Sequence, residues 1–252
     1  MFRTFAEGLA AGRALTFGHR GARAYAPMNT IPSFELALEM GAHGIEFDVR
    51  RTKDGVLVLL HNDTIDETSN GRGRVADLTF AELRELDFGA WLDPKYAGTP
   101  IPTLDELFEA VGSKLLMNVE IKCEHLASEG IEQQVAATIA RHGLAERILI
   151  SSFNPLVVWR SAKAMPHILR GLLVEQETPF ERTRLLASLD IQALHPYYPY
   201  INADYMQQAR ALGLAVNTWT VNDPAEAQRL AGLGVSAVIT DRPDAILAAL
   251  GA

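Results

Sequence analysis

Residues 44–49 read Gly-Ile-Glu-Phe-Asp-Val, and the alternation of polar and apolar side chains in this stretch decides the fold. Successive side chains of a strand point to opposite faces, so Glu46 and Asp48 share one face and the apolar residues between them share the other. In a closed barrel of parallel strands, the outer face packs against helices. The stretch therefore predicts a barrel strand that directs two carboxylates inward, where unpaired charge would be costly.

Short apolar runs of the same kind alternate with helical segments along the chain of 252 residues. Parallel strands need crossover connections, so this strict alternation predicts a parallel sheet. Eight strand–helix units favour closure into an α/β fold of the (β/α)8 TIM barrel type, and we expect a single domain over residues 1–252. The predicted strands are Ala14–Gly18, Gly44–Val49, Leu115–Ile121, Ile148–Phe153, Ile168–Val174, Ala193–His195, Ala215–Thr218 and Ala237–Thr240. The predicted helices are Pro32–Met40, Leu104–Val111, Ile131–His142, Pro155–Ala164, Phe180–Ser188, Ala203–Leu212, Pro224–Ala231 and Pro243–Leu250.

One interval after the second strand interrupts this alternation. Val56–Leu60 reads as an extra strand, and Asn62–Gly98 forms a long excursion before the next helix. The excursion is longer than an ordinary connection between strand and helix, and loops of such length are often functional. We therefore predict a small inserted subdomain over about residues 56–98, placed over the C-terminal mouth of the barrel, where it shapes the site.

Composition limits the partners and the compartment that we expect. Lys and Arg total 23 against 31 Asp and Glu, a net charge of −8, whereas nucleic-acid binders usually carry a basic excess. The single cysteine, Cys123, permits no intramolecular disulfide, which agrees with a reducing compartment. The sequence contains no apolar run of the roughly 20 residues that cross a bilayer and no signal-peptide pattern. We expect a cytoplasmic enzyme with a small-molecule substrate, no nucleic-acid partner and no stable membrane insertion.

Three carboxylates from neighbouring strands are predicted to meet at the C-terminal end of the barrel, where active sites of this fold lie. In the strand that follows the excursion, Glu120 and Lys122 share one face, next to Glu46 and Asp48 of the preceding barrel strand. A Glu-x-Asp pair on a solvated strand face would be the simpler explanation, but the inward orientation argues against it. An all-oxygen ligand set favours one hard divalent cation, Mg²⁺ or Ca²⁺, over zinc.

Six stretches of the chain, taken together and in this order, resemble the bacterial glycerophosphodiester phosphodiesterase family. They are GHRGARAYAPMNT (18–30), GIEFDVRRTKDGVLVLLHND (44–63), IPTLDELF (101–108), NVEIK (118–122), NTWTVND (217–223) and VITDRP (238–243). The resemblance covers nearly the whole chain and implies a TIM barrel with one divalent ion. The residues that it assigns are Glu46, Asp48 and Glu120 for the metal, His19 and His61 for acid–base catalysis, and Arg20 and Lys122 for the phosphate.

The chemistry of phosphodiester hydrolysis agrees with this assignment. The anionic centre must be neutralised, which a metal ion and basic side chains can do. A base must activate the nucleophile and an acid must protonate the leaving alkoxide, and histidine has an unperturbed pKa close to neutral. The sequence leaves open which histidine is the acid. It also leaves open whether water attacks directly or a glycerol hydroxyl attacks first and gives a cyclic phosphate.

Other residues at strand ends and in loops have weaker assignments. The family resemblance favours Trp219, at the end of the seventh barrel strand, as a wall of the substrate pocket, whereas a core tryptophan is the alternative. Phe153 and His195 also end strands and are as readily structural as functional. Asn29 is expected to orient the neighbouring arginine or the phosphate. The simplest role for Asp241 is to cap the last helix.

One departure from the family pattern stands near the first histidine. The family usually has Pro-Glu-Asn-Thr where this chain has Pro27-Met28-Asn29-Thr30. The family's Glu is expected to pair with Arg20 or to orient a histidine, and Met28 can do neither through a charge. A metal-binding pseudoenzyme is therefore one alternative to a phosphodiesterase. A lysophospholipase D-like enzyme is another, favoured by the aromatic residues Phe80, Phe88, Trp91 and Tyr96 of the excursion.

Overall fold

The computed structural model of the chain describes residues 2–123, 130–175 and 189–251. Eight parallel strands form a closed barrel, because the first barrel strand pairs with both the second and the last. This confirms the (β/α)8 barrel predicted from the alternation. A ninth strand, β3, runs antiparallel to β2 and lies outside the barrel order. In chain order the strands are β1 (Leu15–His19), β2 (Gly44–Arg51), β3 (Leu57–Leu59), β4 (Leu116–Ile121), β5 (Ile148–Ser152), β6 (Leu169–Val174), β7 (Ala193–Pro196), β8 (Ala215–Thr218) and β9 (Ala237–Thr240).

Helices follow the barrel strands and begin at local signals that the sequence carries. The Thr103 hydroxyl oxygen accepts a hydrogen bond from the backbone N–H of Glu106, and the Glu106 carboxylate accepts one from the backbone N–H of Thr103, which completes the predicted capping box. The predicted helix Phe180–Ser188 lies outside the described residues. The described helices are α1 (Phe5–Leu9), α2 (Ile31–Glu39), α3 (Phe80–Arg84), α4 (Leu104–Val111), α5 (Ile131–His142), α6 (Pro155–Ala164), α7 (Ala203–Ala211), α8 (Pro224–Leu233) and α9 (Pro243–Leu250).

The outer face of β2 packs against helices, as its alternation predicts. Ile45, Phe47 and Val49 are fully buried in one apolar cluster with side chains of α2, α4 and α5. The rings of Phe47 and Phe34 of α2 meet edge to face, with centroids 5.9 Å apart. Burial of one such side chain stabilises the fold by about 1.5–3 kcal/mol. This outer packing fixes the inward direction of the alternate side chains of β2.

The barrel interior is apolar at its N-terminal end and polar at its C-terminal end. Leu15 and Phe17 of β1 join an inner apolar cluster, to which α1 contributes Phe5. The next inward residue of β1 is His19, at the end of the strand. The candidate functional side chains therefore lie at the C-terminal mouth of the barrel, above a packed apolar interior.

The segment between β3 and α4 has an apolar cluster of its own. Its buried members include Ile65, Leu83 and Phe88, and the cluster also holds Val58 of β3. This segment contains the predicted excursion, and its first residues line a groove at the barrel mouth. Among the described residues, no helix is both long and apolar enough to cross a membrane.

Candidate active site

The three predicted metal ligands lie together on two adjacent strands. In the β2–β4 register, Asp48 is opposite Glu120, and Glu46 is opposite the residue two positions earlier on β4. One oxygen from each carboxylate lies within 4.8 Å of the others, and all three residues are buried. Burial, with the negative charge of Asp48, raises the pKa of Glu46 well above its ordinary value. Burial likewise raises the pKa of Glu120 to about 7.

Two basic side chains partly compensate this negative charge. Lys122 Nζ lies 2.5 Å from Glu120 Oε1 and 3.1 Å from Asp48 Oδ1. Arg20 Nε lies 3.2 Å from Asp48 Oδ2, which also accepts a 2.9 Å hydrogen bond from Asn29 Nδ2. Burial alone would raise the pKa of Asp48, but the two cations lower it below its ordinary value. Three carboxylates against two cations leave room for further positive charge, and an all-oxygen set suits a hard divalent cation.

The tight loop after β1 presents Arg20 to these carboxylates. Arg20 has a left-handed backbone (φ 56°), and its N–H donates to the backbone oxygen of Glu46 at 2.7 Å. Gly21 follows with φ 89°, and a Cβ there would lie 2.7 Å from the backbone of Ser33. Only glycine permits this close approach of the loop to α2. The His-Arg-Gly sequence is thus the local cause of the position of Arg20.

His19 has a carboxylate partner that the sequence did not reveal. Its Nδ1 lies 2.7 Å from Asp241 Oδ1, so the Nδ1–H donates to that carboxylate. The other oxygen of Asp241 accepts a 2.8 Å hydrogen bond from Asn222 Nδ2. Burial lowers the pKa of His19 to about 4, against the opposing effect of Asp241. The imidazole is therefore neutral, and Nε2 carries a lone pair 3.9 Å from Glu46 Oε2.

The predicted capping role of Asp241 is wrong. Helix α9 begins at Pro243, with Arg242 at the N-cap position and no side-chain cap hydrogen bond. Asp241 instead turns toward His19, because β9 pairs directly with β1 and brings the two strand ends together. Its position immediately after a predicted strand, at the active-site end of a barrel, is the signal that could have identified it.

His61 follows β3, and an amide, not a carboxylate, holds its imidazole ring. Its Nδ1 lies 2.6 Å from Asn62 Oδ1, and Asn62 Nδ2 donates to Glu67 Oε2 at 2.8 Å. The backbone oxygen of His61 accepts hydrogen bonds from Nε and Nη2 of Arg50, at 2.9 Å and 2.8 Å. Burial lowers the pKa of His61 to about 4. Both predicted histidines thus direct Nδ1 to a supporting residue and leave Nε2 for chemistry.

The two histidines line one pocket of about 380 Å³ together with Glu46, Glu120, Arg20 and Lys122, and we call it the main pocket. Trp219 and Phe153 form part of its apolar wall, and their rings meet edge to face with centroids 5.6 Å apart. Trp219 Nε1 donates to the backbone oxygen of His195 at 2.8 Å, which fixes the indole. The main pocket therefore offers a polar side for an anion and an apolar side for carbon atoms.

The other residues that the sequence singled out, His195, Asn29 and Met28, lie at different places around the site. His195 is fully buried and lies between the amides of Asn118 and Asn217, so it is an interior residue and does not line the main pocket. The Asn29 side chain donates to Asp48, and its backbone N–H donates to the backbone oxygen of Arg20 at 3.0 Å, so it contacts the arginine that we expected it to orient. The sulfur of Met28 contacts the Arg20 guanidinium and lies 3.3 Å from its Nη1.

Comparisons with known proteins agree on one group of enzymes. A model of the Glycerophosphoryl diester phosphodiesterase family matches residues 19–245. The chain is 38% identical over 236 residues to a glycerophosphodiester phosphodiesterase of Caldanaerobacter subterraneus subsp. tengcongensis, covering 93% of this chain and 97% of that protein. It is 32% identical over 253 residues to a Bacillus subtilis glycerophosphodiester phosphodiesterase, covering 94% of this chain and 86% of that protein.

A solved structure gives the same likeness in three dimensions. A phosphodiesterase from Oleispira antarctica, in complex with the product sn-glycerol-3-phosphate, matches with a TM-score of 0.84 and 31% identity. The match covers 97% of this chain and 99% of that chain.

Proposed function

The chain belongs to the glycerophosphoryl diester phosphodiesterase family, as its sequence motifs predicted, and we propose that it hydrolyses glycerophosphodiesters to an alcohol and sn-glycerol 3-phosphate. One observation supports this most strongly. Two imidazoles, each held through Nδ1, line one pocket with Glu46 and Glu120 of the buried carboxylate cluster and with basic side chains that include Arg20 and Lys122. This combination supplies proton transfer and anion binding in one place, as phosphodiester hydrolysis requires.

A divalent cation, Mg²⁺ or Ca²⁺, fits the cluster of Glu46, Asp48 and Glu120. Burial and neighbouring carboxylates raise the pKa values of Glu46 and Glu120, and a bound cation would stabilise their ionised forms. When bound, the ion would neutralise phosphate charge and lower the pKa of a coordinated hydroxyl.

Arg20 and Lys122 are proposed to hold the phosphate. Both line the main pocket with side chains only 12% exposed, so their charges act in a medium of reduced screening. Their contacts with Asp48 keep them in place before substrate binds. Such preorganised donors stabilise charge that develops on the phosphoryl oxygens.

We assign the base role to His19 and the acid role to His61. The imidazolium that forms when a base takes a proton is stabilised best by a carboxylate, and Asp241 provides one directly to His19. His61 has a neutral amide as its direct partner, which stabilises its imidazolium less. To act as the acid, His61 must carry a proton on Nε2, and the negative charge of the bound phosphodiester would favour this form. The imidazolium then gives that proton to the leaving alkoxide and becomes neutral.

The lysophospholipase D alternative gains little support from the aromatic residues that motivated it. Phe88 is 3% exposed, and Tyr96 donates its hydroxyl hydrogen to the backbone of Tyr25. The indole nitrogen of Trp91 donates to the backbone of Phe88, although this tryptophan is 38% exposed. These side chains pack mainly within and against the protein and do not line the main pocket.

The proposal is tested by release of sn-glycerol 3-phosphate from a panel of glycerophosphodiesters, with Mg²⁺, Ca²⁺ or a chelator present. We expect turnover with a divalent ion and loss of turnover after chelation, restored by adding the ion back. A lysophospholipid included in the panel tests the alternative. Absence of turnover under all conditions would exclude the proposed activity and favour a pseudoenzyme.

A further inference from the structure

A second, smaller cavity adjoins the main pocket beside the loop that follows β1. It measures about 210 Å³ and shares Arg20, Arg23 and His61 with the main pocket. Its wall also includes Met28 and Glu67, and we call this cavity the side chamber. Because a water molecule occupies roughly 30 Å³ in the liquid, the side chamber has room for a group of several heavy atoms.

Among the described residues, the guanidinium of Arg20 contacts only a weak hydrogen-bond acceptor on the side-chamber side. Its Nε lies 3.2 Å from Asp48 Oδ2, but Nη1 lies 3.3 Å from the thioether sulfur of Met28. Thioether sulfur accepts hydrogen bonds weakly, whereas an oxyanion forms short and strong ones with a guanidinium. Because the Arg20 side chain is only 12% exposed, water compensates this deficit poorly.

Arg23 brings a second guanidinium to the same cavity. Its Nε lies 3.5 Å from Asp241 Oδ1, an oxygen that already accepts the shorter hydrogen bond from His19. Among the described residues that line the side chamber, Glu67 alone is acidic, and it accepts a hydrogen bond from Asn62. The carboxylates that pair with these guanidiniums, Asp48 and Asp241, do not line the side chamber, so its described wall carries two guanidiniums and one carboxylate next to the proposed phosphate position.

We propose that the side chamber is an anion subsite that binds an acidic group on the alcohol part of the substrate. This inference rests on the proposed phosphodiesterase function and names the substrate class within it. The preferred substrates are glycerophosphodiesters whose alcohol carries a carboxylate or another compact oxyanion. Met28 contributes to this preference because it places no competing carboxylate against Arg20. Substrates with a purely cationic alcohol gain nothing from the two arginines.

A matched pair of substrates tests the proposed contact between a substrate carboxylate and the two arginines. Glycerophosphoserine and glycerophosphoethanolamine differ by one carboxylate on the alcohol. We expect kcat/KM for the serine ester to exceed that for the ethanolamine ester by about tenfold, the scale of one hydrogen-bonded charge pair. The dissociation constants of the two esters, measured by calorimetry in the presence of a chelator so that no turnover occurs, should differ in the same direction.

Two variants of position 28 separate charge from shape. Met28→Glu places a carboxylate against Arg20 and should reduce the serine-to-ethanolamine ratio to near one. Met28→Gln has nearly the same shape without the charge and should keep the ratio. Arg23→Gln removes the second guanidinium and should also reduce the ratio, so the test does not depend on a single variant.

The outcomes distinguish the subsite from the activity. A ratio near one for the unmodified protein, in both kcat/KM and dissociation constant, would overturn the anion subsite even if all glycerophosphodiesters are hydrolysed. A ratio that persists in both Met28→Glu and Arg23→Gln would overturn it as well. If the dissociation constants keep the expected ratio while no sn-glycerol 3-phosphate is released with either metal ion, the subsite stands and the proposed function fails.

Discussion

The substitution Asp241→Asn tests how His19 is held, because the surrounding hydrogen bonds determine the orientation of the new amide. Asn222 Oδ1 accepts from the backbone N–H of residue 241 at 2.9 Å and from Thr240 Oγ1 at 3.1 Å. The Nδ2 of Asn222 must therefore face residue 241, to which it donates at 2.8 Å. An asparagine at 241 would keep its oxygen toward Asn222 and turn its amide NH₂ toward His19.

This orientation imposes the wrong tautomer on the proposed base. The new amide would donate to Nδ1 of His19 across the present 2.7 Å contact, so the ring proton would move to Nε2. An Nε2 that carries a proton cannot accept one from the nucleophile. Loss of a positioned base typically lowers kcat by about 10²–10⁴-fold, or about 3–5.5 kcal/mol in activation free energy. In a Ser-His-Asp triad, the same exchange lowers kcat about 10⁴-fold.

The assay is kcat for sn-glycerol 3-phosphate release, with ¹⁵N chemical shifts of His19 to report the tautomer. Chemical denaturation checks that the variant stays folded, since Arg23 also approaches Asp241, at 3.5 Å. Asp241→Ala is the matched control, because it removes the carboxylate without presenting a donor and should cost less than the asparagine variant. A kcat within about threefold of the parent enzyme, against the usual 10²-fold scale, would refute the reasoning. So would an unchanged tautomer accompanied by a full loss of activity.

Three further predictions follow from the site and the core. His61→Ala should lower kcat by about 10²-fold or more, and a nitrophenyl ester substrate, whose leaving group needs no acid, should restore activity to this variant. The same substrate should not rescue His19→Ala. Rescue of His19→Ala and not of His61→Ala would exchange the two roles. Glu120→Ala should weaken divalent-ion binding and turnover together, and unchanged ion affinity by calorimetry would remove Glu120 from the ligand set. Phe34→Ala should reduce the free energy of unfolding by about 3–5 kcal/mol in a denaturant titration, since Phe34 is fully buried, whereas the exposed Leu212→Ala should change it by less than about 0.5 kcal/mol.

The sequence by itself determined the architecture and the direction of the proposed metal ligands. In residues 44–49, the two-residue period of a strand assigns the carboxylates to one face and the apolar side chains to the other. Repetition of strand and helix then predicts parallel pairing and favours a barrel, and the capping box at Thr103 and Glu106 marks a helix start locally. Strand alternation and helix capping depend on residues that are close together in the chain, so they can be predicted from the sequence alone.

The carboxylate partner of His19 depended on the tertiary structure. Asp241 lies 222 residues from His19 along the chain, and the two meet because barrel closure pairs β9 with β1. His61, in contrast, is supported by the next residue, Asn62, which in turn donates to Glu67, and this local contact does not require closure of the barrel. Hydrophobic periodicity gives the face of each strand, but the register and closure that bring particular side chains together arise only when the sheet forms.

The same distinction applies at Met28 and His195. The motif around Met28 showed that an expected carboxylate is missing, but only the fold places its sulfur 3.3 Å from Arg20 and shapes a cavity beside it. His195 ends a strand like the candidate site residues, yet β7 directs it between two amides inside the barrel. Sequence position at a strand end selects candidates for the site, and the staggering of strands around the closed barrel decides how deep each side chain lies.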